Sequence, residues 1–385
     1  MQKALESNIW KYTVLLIVNK RVFVAILGAY YLTIPGVTPA VIGTILLISN
    51  LSGFLFEIPS SYASDKMGHK QALVISRVLI LLSSLFYLSS DNITLLILAG
   101  VFMSAGNAFH SGTGSAFMHE TLRGLGRDND YSRIMGKASA IGFAVPVILT
   151  VLIPFFVSIS FKTPFFISLI LDIIGLIIVL SLKVPPVPQE HIQEIRVTNF
   201  KGVLRDGYRL NFFSIALFSG LISGALFSTG GFRGAYQTFL EIPVIWYGVF
   251  FGTGRALASL LLAYSGKIKK VITFPFFLTF QLITYPLLIV LLGLVSTLWI
   301  IILIFIVINA LQWGLSQIDE GYQLDVIKSS KFKATLLSTG SQMDQIIAAG
   351  SGFGLGLIIE HTSYQFGFFC SGIIFFTLLL PVYIY

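Results

Sequence analysis

The chain has 385 residues, 55% hydrophobic and 11% charged, with a formal net charge of +8 and a mean hydropathy of +0.87. A soluble domain carries roughly 25% charged residues, so this chain lacks the polar surface to cover itself in water, and lipid must be the solvent for much of it. Its Lys and Arg fall in short clusters between apolar runs, which argues against a nucleic-acid partner and is how membrane topology is written. The single cysteine, Cys370, has no partner for an internal disulfide.

A helix needs about 20 apolar residues to cross the hydrocarbon. Such stretches lie near 10–33, 39–62, 72–90, 93–116, 132–157 and 164–183, then near 212–236, 244–265, 271–294, 297–320, 333–358 and 364–385. Lys3 and Lys11 precede the first without a small-residue cleavage site behind them, so the segment reads as mature protein rather than a signal peptide. Asn19, Lys20 and Arg21 interrupt it, which leaves an interfacial helix over 5–18 as a second reading. Alternate loops hold the basic residues, from Lys66 and Lys70 through Arg123, Arg127 and Arg133 to Lys328, Lys331 and Lys333. Lys162 is the exception. The positive-inside rule then places both termini in the cytoplasm, and an even span count, which puts them on one side, agrees. A plasma or bacterial inner membrane is expected, with lipid as the surrounding partner.

The longest connection, 184–211, opens with Val-Pro-Pro-Val-Pro and divides the stretches into two sets of six. The sets echo each other weakly, as in Thr38-Pro39-Ala40-Val41-Ile42-Gly43 and Ile242-Pro243-Val244-Ile245-Trp246-Tyr247-Gly248. The expected fold is all-α: a six-helix bundle over 1–183, a cytoplasmic linker over 184–211, and a second bundle over 212–385. Parallel six-helix repeats are a known transporter plan.

The most specific local pattern runs from Glu57-Ile58-Pro59 through Ser61, Asp65, Lys66 and Gly68 to Lys70, between the second and third spans. A chain that reverses within a few residues needs a turn that Gly68 permits. Asp65 faces the basic Lys66, Lys70 and Arg77, and suits the positive N-terminal end of a helix. The pattern resembles the signature loop of the major facilitator superfamily, in which a small residue, three others, Asp, a basic residue, any residue, Gly and two basic residues follow in order. Ser61 stands where Gly is usual, and His69 where the first of the two basic residues is usual. The resemblance implies alternating-access transport, with Asp65 latching onto the start of the eleventh span at Lys333-Ala334-Thr335. The plain alternative is a topogenic loop. A second family signature, the Gly- and Pro-rich stretch of antiporters, survives only as Gly142-Phe143-Ala144-Val145-Pro146.

Ionisable groups at membrane depth cost on the order of 3 kcal/mol on insertion scales and usually face the bundle interior. Arg255 and Asp344 share a depth and are expected to pair. Glu57, Asp344 and His110 are the candidates to carry a coupling proton; Glu57 is preferred if Arg255 occupies Asp344, against a structural role for its Glu-Ile-Pro bend. Arg233 lies between Gly231 and Gly234, where it suits an anionic group, an outer gate with Glu241, or simple snorkelling. Asn309 and Gln312 share a face of the tenth span. The resemblance puts the first, fourth, seventh and tenth spans around the cavity, where Lys20 or Arg21, His110, Arg233 and Gln312 would each supply a polar group, and it makes Asp172 structural; Asn309, on the face of Gln312, and Arg255, at mid-depth on the eighth span, complete the substrate candidates.

The run Gly350-Ser351-Gly352-Phe353-Gly354-Leu355-Gly356 follows no strand and reads as close helix packing. No P-loop, metal-ligand set or nucleophile–base arrangement stands out, so no cofactor, metal or enzymatic activity is expected. The expected function is proton- or ion-coupled transport of a small molecule by a monomer, with efflux of amphipathic compounds ahead of an uptake permease for a nutrient or organic anion. A non-transporting sensor or scaffold is the reading of another class, and it would have a filled, apolar centre.

Overall fold

The first span breaks where its polar residues accumulate. Helix α1 (Gln2–Val18) ends before Asn19, a 3-10 turn occupies Val22–Ala25, and a short α2 (Leu27–Tyr31) follows. This and all later geometry comes from a computed structural model, which describes residues 2–127, 130–185, 200–327 and 333–384, the side chains of Asp65, Ser132, Phe200, Lys201 and Lys333–Thr335 excepted. The remaining helices are α3 (Pro39–Met67), α4 (His69–Ser89), α5 (Ile93–His110), α6 (Thr113–Gly124), α7 (Tyr131–Leu152), α8 (Thr163–Ser181) and α9 (Phe200–Arg209). After them come α10 (Phe212–Phe239), α11 (Ile245–Val271), α12 (Phe274–Leu294), α13 (Leu298–Gly314), α14 (Ser316–Val326), α15 (Lys333–His361) and α16 (Tyr364–Ile384).

Ten helical segments among the described residues are long and apolar enough to cross a membrane, α5 with α6 and α13 with α14 each counting as one. To these the broken α1–α2 segment and α15 are added. At 29 residues α15 is long enough to cross, about 43 Å at 1.5 Å per residue. The internal repeat is plainer in the elements than in the residues. His69–Ser89 and Phe274–Leu294 are both 21 residues long and start about 205 positions apart. The bent pairs α5–α6 and α13–α14 recur at the same offset.

Turn chemistry follows residue type. Gly68 takes φ +94, so α4 begins one residue after α3 ends, and Gly112 takes φ +69 between α5 and α6. Only glycine enters this region without a Cβ clash. Asn92 caps α5 by accepting from the Leu95 N–H at 3.1 Å.

By contact the chain forms two compact units, residues 1–24 with 52–197 and residues 25–51 with 198–385. They differ from contiguous halves by residues 25–51. That segment joins the second unit because its small residues meet other small residues there. A Cβ on Gly28 would sit 2.7 Å from the Ala235 nitrogen, and one on Gly43 would sit 3.0 Å from the Gly352 oxygen. In lipid, helices associate through such close backbone approach and not through apolar burial. Within the Gly350–Gly356 run, Gly352 and Gly356 pack against Leu46, Pro39 and Gly43, while Gly350 and Gly354 face open space. Of the expected linker, residues 186–199 lie outside the described residues, and α9 occupies 200–209.

The first unit is held by polar bonds at both ends of α1. At one end Asn8 donates to the Lys183 carbonyl at 2.8 Å and accepts from the Lys183 N–H at 3.0 Å. At the other, Arg21 clasps Asp172 with two bonds of 2.6 and 2.8 Å, and Ser84 donates to the same carboxylate at 2.5 Å. Asp172 is fully buried. Arg77, also fully buried, donates to Asn19 Oδ1 at 2.5 Å. Between these ends lies the apolar core of Tyr12, Leu15, Leu73, Phe117 and Val179.

Replacing one member of a buried ion pair leaves the other uncompensated, a loss of about 3–5 kcal/mol. Asp172→Asn is expected to lower the thermal unfolding midpoint in detergent strongly, because Arg21 and Arg77 would then share a site without a countercharge. Adding Arg21→Gln should recover part of that loss.

Candidate functional site

The second unit contains a cavity of about 330 Å³, bounded by α10, α12, α13, α14 and α15. Helical spacing explains how each element reaches it. On α10 the lining residues Ser219, Ser223 and Leu226 follow at intervals of four and three, which keeps them on one face. Gln312, Ser316 and Asp319 continue the same rhythm from α13 into α14, and Gln281 and Tyr285 do so on α12. Asp344 enters from α15, where the bare Gly220 makes room: a Cβ there would lie 3.2 Å from Asp344 Oδ1.

The lining contains three carboxylates and no Lys, Arg or His. Asp319 accepts from Ser219 Oγ at 3.1 Å and from Gln323 Nε2 at 2.9 Å. Asp344 is hydrogen-bonded by Ser223 and feels the negative charge of Asp319 directly. Gln281, 4% exposed, turns an Oε1 that meets no donor among the described residues into this acidic space. Two like charges in a half-buried space, with a spare acceptor beside them, make a place for a proton or a hydrogen-bond donor.

Several sequence expectations land elsewhere. Arg255 and Asp344 form no ion pair among the described residues. The Arg255 guanidinium instead lies 4.0 Å from the Trp313 ring centroid and 4.9 Å from that of Phe251. Equal depth on two helices does not fix which way the side chains point. Arg233 is buried and packs on Phe251 at 4.3 Å. Gln312 lines the cavity, whereas Asn309 donates to the Phe251 carbonyl at 3.1 Å and ties α13 to α11. Arg21 is committed to Asp172, so it serves packing in the first unit.

His110 sits at the end of α5, its Nδ1 without a hydrogen bond among the described residues, in surroundings that carry the charges of Arg77 and Lys20. Glu57 is half-buried on α3, within hydrogen-bond reach of Ser111.

Of the residues assigned to the signature loop, one needs correction. Arg77 does not belong to it: eight residues into α4, about 12 Å from its start, it is enclosed within the unit. His69, which replaces a basic residue, meets Glu120 at 3.2 Å and Ser64 Oγ at 2.9 Å. Lys70 donates to the Leu180 carbonyl at 2.9 Å, Lys66 lies 6.0 Å from the Tyr62 ring, and Ser61 Oγ donates back to the Glu57 carbonyl at 3.1 Å. The side chains of Asp65, Lys333, Ala334 and Thr335 lie outside the described residues, and with them the expected latch.

Asp319 was missed in the sequence because it stands beside Glu320 near a predicted span end, where acidic residues read as loop. Its signal is the spacing of seven from Gln312, two helical turns that put both on one face.

Residues 12–318 match a family model described as Major Facilitator Superfamily. A curated relative from Buchnera aphidicola subsp. Schizaphis graminum (strain Sg), described as an uncharacterized transporter, is 27% identical over 157 residues, 41% of this chain and 39% of the relative. The match thus spans about two fifths of that relative's length. Among solved structures, the nucleoside transporter NupG superposes with a TM-score of 0.78 at 13% identity, covering 99% of each chain. A bacterial homolog of the human lysosomal transporter Spinster, inward-facing and unoccupied, gives 0.72 at 13% identity, covering 99% of this chain and 95% of that one. A POT family transporter in complex with a thioalcohol-conjugated peptide gives 0.69 at 14% identity, covering 98% and 95%.

Relieving one of two like buried charges should stabilise the fold by on the order of 1 kcal/mol, about 1 °C in melting midpoint for a chain of this size. Asp344→Asn is therefore expected to melt higher than wild type. Since Arg255 and Asp344 occupy separate surroundings, the effects of Arg255→Gln and Asp344→Asn should add within about 0.5 kcal/mol in a double-mutant cycle.

Proposed function

Because the chain belongs to the Major Facilitator Superfamily, and is thus a transporter rather than an enzyme, we propose that it moves a small polar molecule by alternating access, coupled to a proton held by Asp319 and Asp344. The observation that carries this reading is the carboxylate pair in a polar cavity with no basic residue on its walls. A proton carrier must change charge during the cycle, and a group already tied to a guanidinium does so poorly. Asp172 is tied in that way. Asp344 has no such partner among the described residues, which removes the reason to prefer Glu57. No nucleotide-binding loop occurs in the sequence, which supports an ion gradient as the energy source.

The Ser, Gln and Asp lining favours a polar cargo ahead of the amphipathic compounds expected from the family resemblance. The fold neighbours, a nucleoside transporter and a peptide-bound POT family transporter, are in keeping with this. A carrier of this kind runs in whichever direction the combined gradients drive it; with proton and solute moving together, an inward proton gradient drives uptake. The basic loops support a plasma or inner membrane with both termini cytoplasmic. A non-transporting scaffold would have a filled, apolar centre, and the acidic cavity speaks against it. The Ser61–Lys70 loop keeps its proposed gating role: Asp65→Asn should lower transport while leaving membrane insertion intact.

The test is flux of a polar-solute panel into proteoliposomes at fixed solute gradient, with and without an imposed pH difference. Wild-type flux should rise with an inward proton gradient. Asp319→Asn and Asp344→Asn should each lose about tenfold or more of the pH-driven part, while Glu57→Gln retains it. Wild-type flux indifferent to the pH difference removes proton coupling, and loss in Glu57→Gln alone moves the role to Glu57.

A further inference from the structure

The cavity-lining face of α10 continues past the cavity. Thr229, Arg233 and Gln237 follow at intervals of four, one above another on that helix. They are 0%, 8% and 1% exposed. Thr229 Oγ1 and both amide atoms of Gln237 have no hydrogen-bond partner among the described residues. Arg233 makes no ion pair among them. Buried polar groups are ordinarily satisfied, so three successive turns of unsatisfied or unbalanced groups on one face call for something to fill them.

A second guanidinium converges on the same place. Arg233 and Arg255 lie 4.3 and 4.9 Å from the centroid of one ring, Phe251, so their guanidinium carbons are within about 9 Å of each other. Their like charges repel. Trp313, 4.0 Å from Arg255, extends the aromatic wall and meets Phe227 edge-on. Phe227 is 46% exposed, and Arg255 and Trp313 are partly exposed, so the cluster has an open side.

We infer that Arg233 and Arg255, with Phe251 and Trp313, form a recognition site for a planar anionic group, such as a carboxylate joined to an aromatic ring. A guanidinium fork matches a carboxylate with two parallel N–H donors. A flat ring finds Trp and Phe faces beside it, and Gln237 Nε2 and the Thr229 hydroxyl add donors on the same helix face. A negative ligand also relieves the repulsion between the two arginines. The inference rests on the transport reading for the fate of the ligand, since it names the cargo class. An anion carried with one proton moves no net charge, which suits the acidic pair lower on the same unit.

The experiment is calorimetric titration of the detergent-purified protein with sodium benzoate and with neutral benzamide, at a pH where benzoate is ionised. Benzoate should bind about tenfold or more tightly than benzamide, and Arg233→Gln and Arg255→Gln should each weaken it by at least about tenfold. If a Gln variant fails to fold, the Lys variant takes its place, and loss of the bidentate fork should still weaken benzoate several-fold. Absent benzoate binding, equal affinity for the two probes, or folded variants that bind like wild type would each overturn the site. Benzoate binding without pH-driven benzoate uptake in proteoliposomes keeps the site and overturns the transport reading for this cargo class.

Discussion

A charge inside a helix bundle in lipid is tolerable only when something answers it, because the surroundings solvate it poorly. The two units meet this constraint in opposite ways. In the first, Arg21, Ser84 and Asp172 close on one another over distances of 2.5 to 2.8 Å, and the group is consumed in holding α1, α4 and α8 together. In the second, Asp319 and Asp344 share a cavity wall with hydroxyls, amides and a third acid, Glu320, and two arginines pack on the same phenylalanine. A closed pair is a structural element. An acidic pair with no basic residue on its cavity wall stores a preference for a proton.

Small residues make the open arrangement possible. Gly220 lets the Asp344 carboxylate lie against α10, and Gly224 brings the backbone of α15 close enough that a Cβ there would sit 2.9 Å from the Ala348 nitrogen. Helices that approach this closely gain dispersion contacts along their length, which offsets the unfavourable placement of the two carboxylates. The same device binds residues 28–43 to the second unit. Packing through glycine thus decides both which residues share a unit and which acids share a cavity.

The architecture was legible in the sequence because lipid imposes one strong rule, a run of about 20 apolar residues. The twelve-span plan, the repeat, the turn at Gly68 and the packing role of Gly352 and Gly356 follow from hydropathy, spacing and residue type, and the structural role of Asp172 from the family resemblance. The site was less legible. Depth along a helix can be read from residue number, but the direction of a side chain depends on the neighbouring helix, and so Arg255 and Asp344 were matched by depth and point elsewhere. Arg21 looked like a cavity residue until its partner 151 positions away was placed beside it. Asp319 was hidden by Glu320, since two adjacent acids near a span end resemble a loop. Gln312, assigned to the tenth span by the resemblance, is on the wall of the second unit's cavity.

The central claim is that the Asp319–Asp344 pair gains and loses a proton. Infrared difference spectroscopy on membranes containing the protein reads this directly, through the carbonyl stretch of a protonated carboxyl group as the bath pH is stepped across neutrality. Such a band is expected in wild type, lost or displaced in both Asp319→Asn and Asp344→Asn and kept in Glu57→Gln. A titrating band that survives unchanged in both aspartate variants would contradict it.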